Sequence, residues 1–229
     1  MFRENKEFFE KTYILMKNKK SKKPVLSDKY YYISRYYAQL LEINGENLKK
    51  YNIESEDKKE AQEAQVEQDK AIKISEKICN LEIYPFSSSE PKLEGKGIGN
   101  TILLNSDLSR LGVYIVLRRI YRYLDNKAEK PVIIFRKYDR AWKELFDKIL
   151  QEVEEEEKQK DRTFEHEKVL NLLEEGFFYC QTGSMGGGIT AGNVISVLNF
   201  RTIDRKDSKL FKDTQKKDFN SIKSLLTKE

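Results

Sequence analysis

Asp107-Leu108-Ser109-Arg110-Leu111-Gly112-Val113-Tyr114-Ile115-Val116-Leu117-Arg118-Arg119-Ile120-Tyr121-Arg122-Tyr123-Leu124 is the stretch that decides how the chain folds. Within it Val113, Val116, Leu117, Ile120, Tyr121 and Leu124 recur at i, i+3, i+4, i+7, i+8 and i+11. That spacing puts apolar side chains on one face of an α-helix, so a helix from Ser106 or Asp107 to Leu124 is expected to bury this face. Pro131-Val132-Ile133-Ile134-Phe135 then reads as a short strand, because β-branched and aromatic residues suit a pleated surface. Helical spacing returns with Trp142, Leu145, Phe146, Ile149, Leu150 and Val153. A shorter helix, about 164–175, carries Val169, Leu172 and Leu173 inward and stops at Gly176. Phe177-Phe178-Tyr179-Cys180, a Gly-rich turn and Asn193-Val194-Ile195-Ser196-Val197-Leu198-Asn199-Phe200 complete a β-hairpin.

Outward from this block the N-terminal part reads as helical. Residues 2–17 carry Phe2, Phe9, Tyr13 and Met16 at near-helical spacing, and the basic run from Lys17 to Lys23 before Pro24 is a loop. Ser27 is a good N-cap for a second helix through Ile43, which Asn44-Gly45 would stop. A third helix begins at Ser55 and runs to about Leu81, with Ala64, Ala71 and Ile78 one heptad apart. Pro85, Ser87-Ser88-Ser89, Pro91, Gly95, Gly97 and Gly99 crowd into 85–100 and mark a linker. The expected plan is therefore α+β and mostly helical: a helical region over 1–84, the linker over 85–100, an α+β domain over 101–203 and a basic amphipathic tail over 204–229. Helix, strand, helix, helix, strand, loop, strand is the element order of a winged-helix domain, and residues 104–203 resemble that family in layout, without a diagnostic motif. The resemblance implies nucleic acid as the natural partner.

Composition narrows the chemistry. A single His (His166) and two Cys (Cys79, Cys180) in 229 residues cannot supply the four nitrogen and sulfur ligands of a structural zinc site. No metal site and no cofactor are expected. The two distant thiols show no disulfide framework, which suits a reducing, cytoplasmic setting. The start has acids and no apolar h-region, so no secretory signal is read there. The longest wholly apolar stretch, Val113 to Leu117, is far short of the roughly 20 residues of a membrane span. The net charge of +5 is unevenly placed: +2 over 1–84, +5 over 85–150, −6 over 151–176 and +4 over 177–229. The acidic island covers the helix that a DNA-reading winged helix would need positive, since Glu165, Glu167, Glu174 and Glu175 outnumber Lys168. The cations stand elsewhere. Arg118, Arg119 and Arg122, with Arg136, Lys137 and Arg140, are the candidates for binding nucleic acid or an acidic partner, beside Arg110.

Other features have a simpler role beside the chemical one. Thr182-Gly183-Ser184-Met185-Gly186 resembles the nucleophile elbow of α/β-hydrolases, G-x-S-x-G, but Thr182 stands where the first Gly belongs and the only His precedes the Ser rather than following it. A hairpin tip whose glycines permit positive φ explains the same residues. Gly95-Lys96-Gly97-Ile98-Gly99 could wrap a phosphate, yet no helix clearly opens after it. His166 sits between Glu165 and Glu167, which cannot both face it on a helix. The run Glu154 to Glu157 points around a helix and reads as a solvated, frayed end rather than a metal site. Glu82 and Glu94 are the only other carboxylates worth naming for a nuclease. In the Tyr30, Tyr31, Tyr32, Tyr36, Tyr37 cluster, Tyr31 or Tyr32 is expected inside and Tyr30, Tyr36 or Tyr37 at a protein interface.

No convergent catalytic set emerges. The expectation is a non-catalytic adaptor or interaction subunit in a nucleic-acid-handling or antagonistic protein complex, with a protein partner and no membrane. A double-stranded-DNA-binding winged helix using the basic helix face is the alternative, and a hydrolase or metal-dependent nuclease a further one. Oligomeric state is left open.

Overall fold

The computed structural model describes residues 36–42, 62, 66, 77–81, 83, 97–183 and 187–227. The protein is mixed α+β, with helices predominating over one small three-stranded sheet. Two compact units form, Met1–Cys79 with Ser184–Thr190, and Asn80–Gly183 with Ala191–Glu229.

Little of the first unit is described, and the helix expected over 2–17 lies outside the described residues, as do most positions of those over 27–43 and 55–81. Ala38–Leu41 is a helical turn that buries Leu40 and Leu41 and ends where Glu42 turns left-handed. Ile189 is buried in this unit and donates its N–H to the Tyr36 carbonyl at 2.7 Å. The Gly-rich connection is thus more than a hairpin tip, because its far side supplies a buried residue to the first unit. The third helix is shorter than expected: Lys77 is in a turn and Ile78 to Leu81 are not helical. Leu81 and Ile83 instead pack against the core of the second unit, whose apolar surface outcompetes one more turn of a polar helix.

The second unit opens with α1 (Ile98–Asn105), whose N-cap is Gly97 in extended conformation. The helix therefore starts inside the Gly-rich stretch, because Leu103 finds full burial there and Asn100 donates to Glu144 at 3.0 Å. Only Ser106 separates it from α2 (Asp107–Leu124). The strand β1 (Ile133–Arg136) leads through a 3-10 turn, Tyr138–Arg140, into α3 (Trp142–Lys158) and then α4 (His166–Gly176). Next come β2 (Phe178–Gln181), β3 (Val194–Ser196), α5 (Val197–Thr202) and α6 (Ser208–Thr227). Sheet order is β1-β2-β3: β1 and β2 run parallel with Ile133 opposite Phe178, and β2 and β3 antiparallel with Cys180 opposite Ile195. A parallel neighbour requires a crossover. The 3-10 turn, α3 and α4 make that crossover, which places both helices over the sheet.

The core is aromatic at its centre. The Phe135 ring lies 4.8 Å from Phe178, 5.0 Å from Tyr138, 5.1 Å from Trp142 and 5.8 Å from Phe146, centroid to centroid. From α2, Val113, Val116 and Ile120 reach this core, but Tyr121 and Leu124 do not and stand 65% and 63% exposed. Tyr121 lies at the margin of the apolar strip, and Leu124 is the last residue of α2, past the last buried position of the helix, Ile120. On α4 the buried pair is Leu170 and Leu173, while Leu172 faces out.

The expected second hairpin strand ends early. Ser196 becomes an N-cap, its hydroxyl accepting the Asn199 N–H at 3.3 Å, and Asp218 accepts the Ser196 N–H at 2.7 Å and the Asn199 side-chain amide at 3.2 Å. Capping from α6 turns Val197–Thr202 helical against its β-propensity. The C-terminal segment is therefore an integral helix: Asp207 caps it by accepting the Leu210 N–H at 2.9 Å, Phe219 and Ile222 are buried, and Gln215 donates to the Thr182 hydroxyl at 2.8 Å.

Among the described residues one carboxylate is buried. Glu174 of α4 accepts from the Tyr138 hydroxyl at 2.7 Å and from Arg201 of α5, which also bonds Asp139 at 3.2 Å. Glu174→Ala strands the buried Tyr138 hydroxyl and leaves the partly exposed Arg201 with Asp139 alone, and should lower unfolding free energy by about 2 kcal/mol in a denaturant titration. Ser109 is the opposite case, since its hydroxyl is fully buried in α2 with no hydrogen-bond partner among the described residues. Removing an unsatisfied polar atom from a helix relieves its desolvation and improves helix propensity, so Ser109→Ala should leave stability unchanged or raise it by about 1 kcal/mol. A loss above that magnitude would show that Ser109 is partnered.

Candidate interaction surface

The two sides of α2 differ in chemistry. Its inner side is held by Val113, Val116 and Ile120 and by Gly112, where an added Cβ would lie 3.4 Å from the Trp142 ring. Arg110 fixes the flank to α3: Nη1 donates to Glu152 Oε1 at 3.1 Å, and Nη2 donates to Glu152 Oε2 and, at 3.1 Å, to the Tyr114 hydroxyl. The guanidinium holds the Glu152 carboxyl below the usual carboxylate range. Arg110 is thereby committed to the fold.

On the outer side Leu108, Leu111, Ile115, Arg118 and Arg122 follow each other at spacings of three, four, three and four residues, one stripe along the helix. Leu108, Leu111 and Ile115 are 55%, 50% and 40% exposed. Arg118, Arg119 and Arg122 are exposed and join no ion pair or side-chain hydrogen bond among the described residues. Tyr114 and Tyr121 border the stripe, also exposed. This face runs from apolar at the N-terminal end of the helix to cationic at the other.

Arg136, Lys137 and Arg140 are also exposed but stand on different elements, at the end of β1 and along the 3-10 turn. Arg136 donates to Gln181 on β2 at 3.0 Å, and Lys137 adopts a left-handed backbone with φ 53° that turns the chain into α3. Of the tyrosine cluster, Tyr36 and Tyr37 are half-buried, and Tyr30, Tyr31 and Tyr32 lie outside the described residues.

The acidic island divides into three jobs. Glu174 is the buried hub. Glu157 accepts from Lys160 at 3.1 Å and from Arg162 at 3.2 Å, and its carbonyl takes both backbone N–H groups, so the end of α3 is tied down rather than frayed. Glu154, Glu165, His166, Glu167, Lys168 and Leu172 line a cleft of about 600 Å³. His166 is oriented across helices rather than by its sequence neighbours: Nδ1 lies 2.5 Å from Glu154 Oε2, and Nε2 3.7 Å from Asp147 Oδ1. The hydrogen bond to Glu154 raises the imidazole pKa, with Asp147 and Glu167 adding to the effect. Outward acids on α4 repel a phosphate backbone.

Catalytic machinery does not converge among the described residues. No group of three or more His, Cys, Asp or Glu side chains could hold a metal there. Ser184, Glu82 and Glu94 lie outside the described residues. Burial pushes the Cys180 thiol up to about 12, which keeps it from acting as a thiolate. No helix among the described residues is long and apolar enough to cross a membrane. No protein-family model, curated protein or solved structure matches the chain.

Sequence periodicity assigned α2 one apolar face and overlooked the second, formed by Leu108, Leu111 and Ile115. The 3-4-3-4 spacing of these residues with Arg118 and Arg122 was the available signal.

The His166 contact carries a pH signature. Its folded pKa is raised above the ordinary value of about 6.5, so its stabilisation is fully present below that pH and is lost as pH climbs through the folded value. Between pH 6 and pH 9 the melting temperature of the wild type should fall relative to that of His166→Gln. Parallel profiles for the two proteins would remove the contact from the account.

Proposed function

We propose that this protein is a non-catalytic interaction subunit, an adaptor of a nucleic-acid-handling or antagonistic complex, and that it holds a protein partner on the outer face of α2. The observation carrying this is the line of exposed Leu108, Leu111 and Ile115 continuing into the unpaired Arg118 and Arg122. Exposed apolar side chains in a row gain by leaving water, and a contiguous apolar patch with an arginine and tyrosine border is the composition of an interface core and its rim. A fixed scaffold supports it, because α2 is anchored by Gly112 against Trp142 and by Arg110 on Glu152.

Element order within residues 104–203 is what supports the nucleic-acid-handling context, while the parallel pairing of β1 with β2 and the helix at Val197–Thr202 depart from the antiparallel sheet of a winged helix. Direct reading of double-stranded DNA is the second proposal, favoured by the three free cations of α2 with Arg136, Lys137 and Arg140 nearby in sequence. The acids of α4 weigh against it, and so does the apolar half of the α2 stripe, which offers a phosphate backbone nothing. The reducing, cytoplasmic setting belongs to the same proposal.

Purified from its native cell, the wild type should carry a stoichiometric protein that Leu111→Asp with Ile115→Asp loses, while circular dichroism and melting temperature stay unchanged. A wild type that purifies alone overturns the proposal. Duplex-DNA binding that falls steeply with salt and survives the double substitution would put the DNA reading in its place.

A further inference from the structure

The outer stripe of α2 has the spacing of a coiled-coil seam, and no helix among the described residues covers it. Leu108, Leu111, Ile115, Arg118 and Arg122 occupy successive a and d positions, a run of about 21 Å at 1.5 Å per residue. A seam of this kind is filled by knobs from another helix lying along it. Its own knobs are unequal: three are apolar and two are guanidinium groups, with Arg119 alongside.

A second copy of this chain is a poor occupant. Paired in parallel, Arg118 and Arg122 meet their own equivalents. Paired antiparallel, they cover Leu111 and Leu108, so that cations are desolvated against apolar side chains with no counter-charge. A nucleic-acid backbone would match the arginine half and leave the leucine half wet.

Resting on the reading of α2 as the docking face, we propose that the partner contributes an acidic amphipathic helix that lies antiparallel along α2. Its C-terminal half presents apolar residues at three- and four-residue spacing to Leu108, Leu111 and Ile115. Its N-terminal half presents carboxylates to Arg118, Arg119 and Arg122. The antiparallel direction follows from charge. Acids at the first turn of a helix complement its own dipole, and this end then meets the C-terminal end of α2, where Arg122 stands in the last turn and complements the α2 dipole. Arg122 is thus placed favourably twice, once on its own helix and once across the seam, and Arg118 and Arg119 across the seam. Apolar residues contribute the drive to associate, and the carboxylate–guanidinium pairs set direction and register.

Two synthetic helical peptides of identical composition test this with the full-length protein. One carries glutamates at the seam positions of its N-terminal half and leucines at those of its C-terminal half, and the other has the halves exchanged. The acid-first peptide should bind at least tenfold tighter by fluorescence anisotropy. Arg118→Glu with Arg122→Glu should abolish that preference, and the same peptide with lysine in place of glutamate should restore binding to this variant, a rescue that no folding defect can mimic. Leu111→Asp should weaken the acid-first peptide by at least tenfold as well. Equal binding of the two peptides, no binding of either, or no rescue overturns the proposal. So does a dimer mass in sedimentation equilibrium that Leu111→Asp dissolves, which assigns the seam to a second copy. So does a 20-base-pair DNA duplex that outcompetes the peptide. If a native partner is lost on Leu111→Asp but retained on Arg118→Glu with Arg122→Glu, the docking face stands and the acidic helix falls.

Discussion

Everything in the second unit is arranged around the Phe135 ring. It sits on a four-residue strand, yet it meets rings from the 3-10 turn, from α3 and from β2, all with centroids inside 6 Å. Edge-on and tilted rings at this distance attract through their quadrupoles as well as by burial. The cluster fixes where Trp142 stands, Trp142 fixes how closely α2 approaches through Gly112, and that approach decides which side of α2 is left to solvent.

Polar groups finish what the aromatic cluster begins. A crossover connection has to be held down at its far end, and Glu174 does this by joining Tyr138 of the turn to Arg201 of α5. Asp218 does the same for the C-terminal side by capping the start of α5 from α6. In each case a carboxylate accepts from two groups of other elements, Glu174 from two that are far apart in the chain and Asp218 from two of a single cap, which satisfies these donors while choosing one packing over its near neighbours. Glu174 is one of the ten acids of the 151–176 block and the only one of them that is buried. The charge is therefore only partly a surface property.

Much of the fold was legible beforehand. Periodicity located α2, α3 and α4 to within a few residues, and runs of β-branched and aromatic residues located β1, β2 and the start of β3. Boundaries failed where one element's end depends on another's side chain: strand became helix at Val197 because Asp218 reaches it, and Leu81 left its helix for the core of the second unit. The candidate site was half legible. Arg118, Arg119 and Arg122 were readable as a charged face, whereas Leu108, Leu111 and Ile115 were not readable as exposed, because an apolar residue on a helix predicts burial until the partner surfaces have been counted.

By itself the sequence determined that the chain forms amphipathic helices and short strands, that one His and two Cys exclude a structural zinc site, and that its acidic and basic charges fall in separate blocks. These follow from local spacing and composition, which need no knowledge of neighbours. Only the tertiary structure decided that β1 and β2 lie parallel, that Glu174 is inside and Glu175 outside, and that α2 turns one apolar strip to the core while leaving the other, with its arginines, to water. Those outcomes depend on which surfaces compete for the same side chains. That competition is settled by packing between residues far apart in the chain.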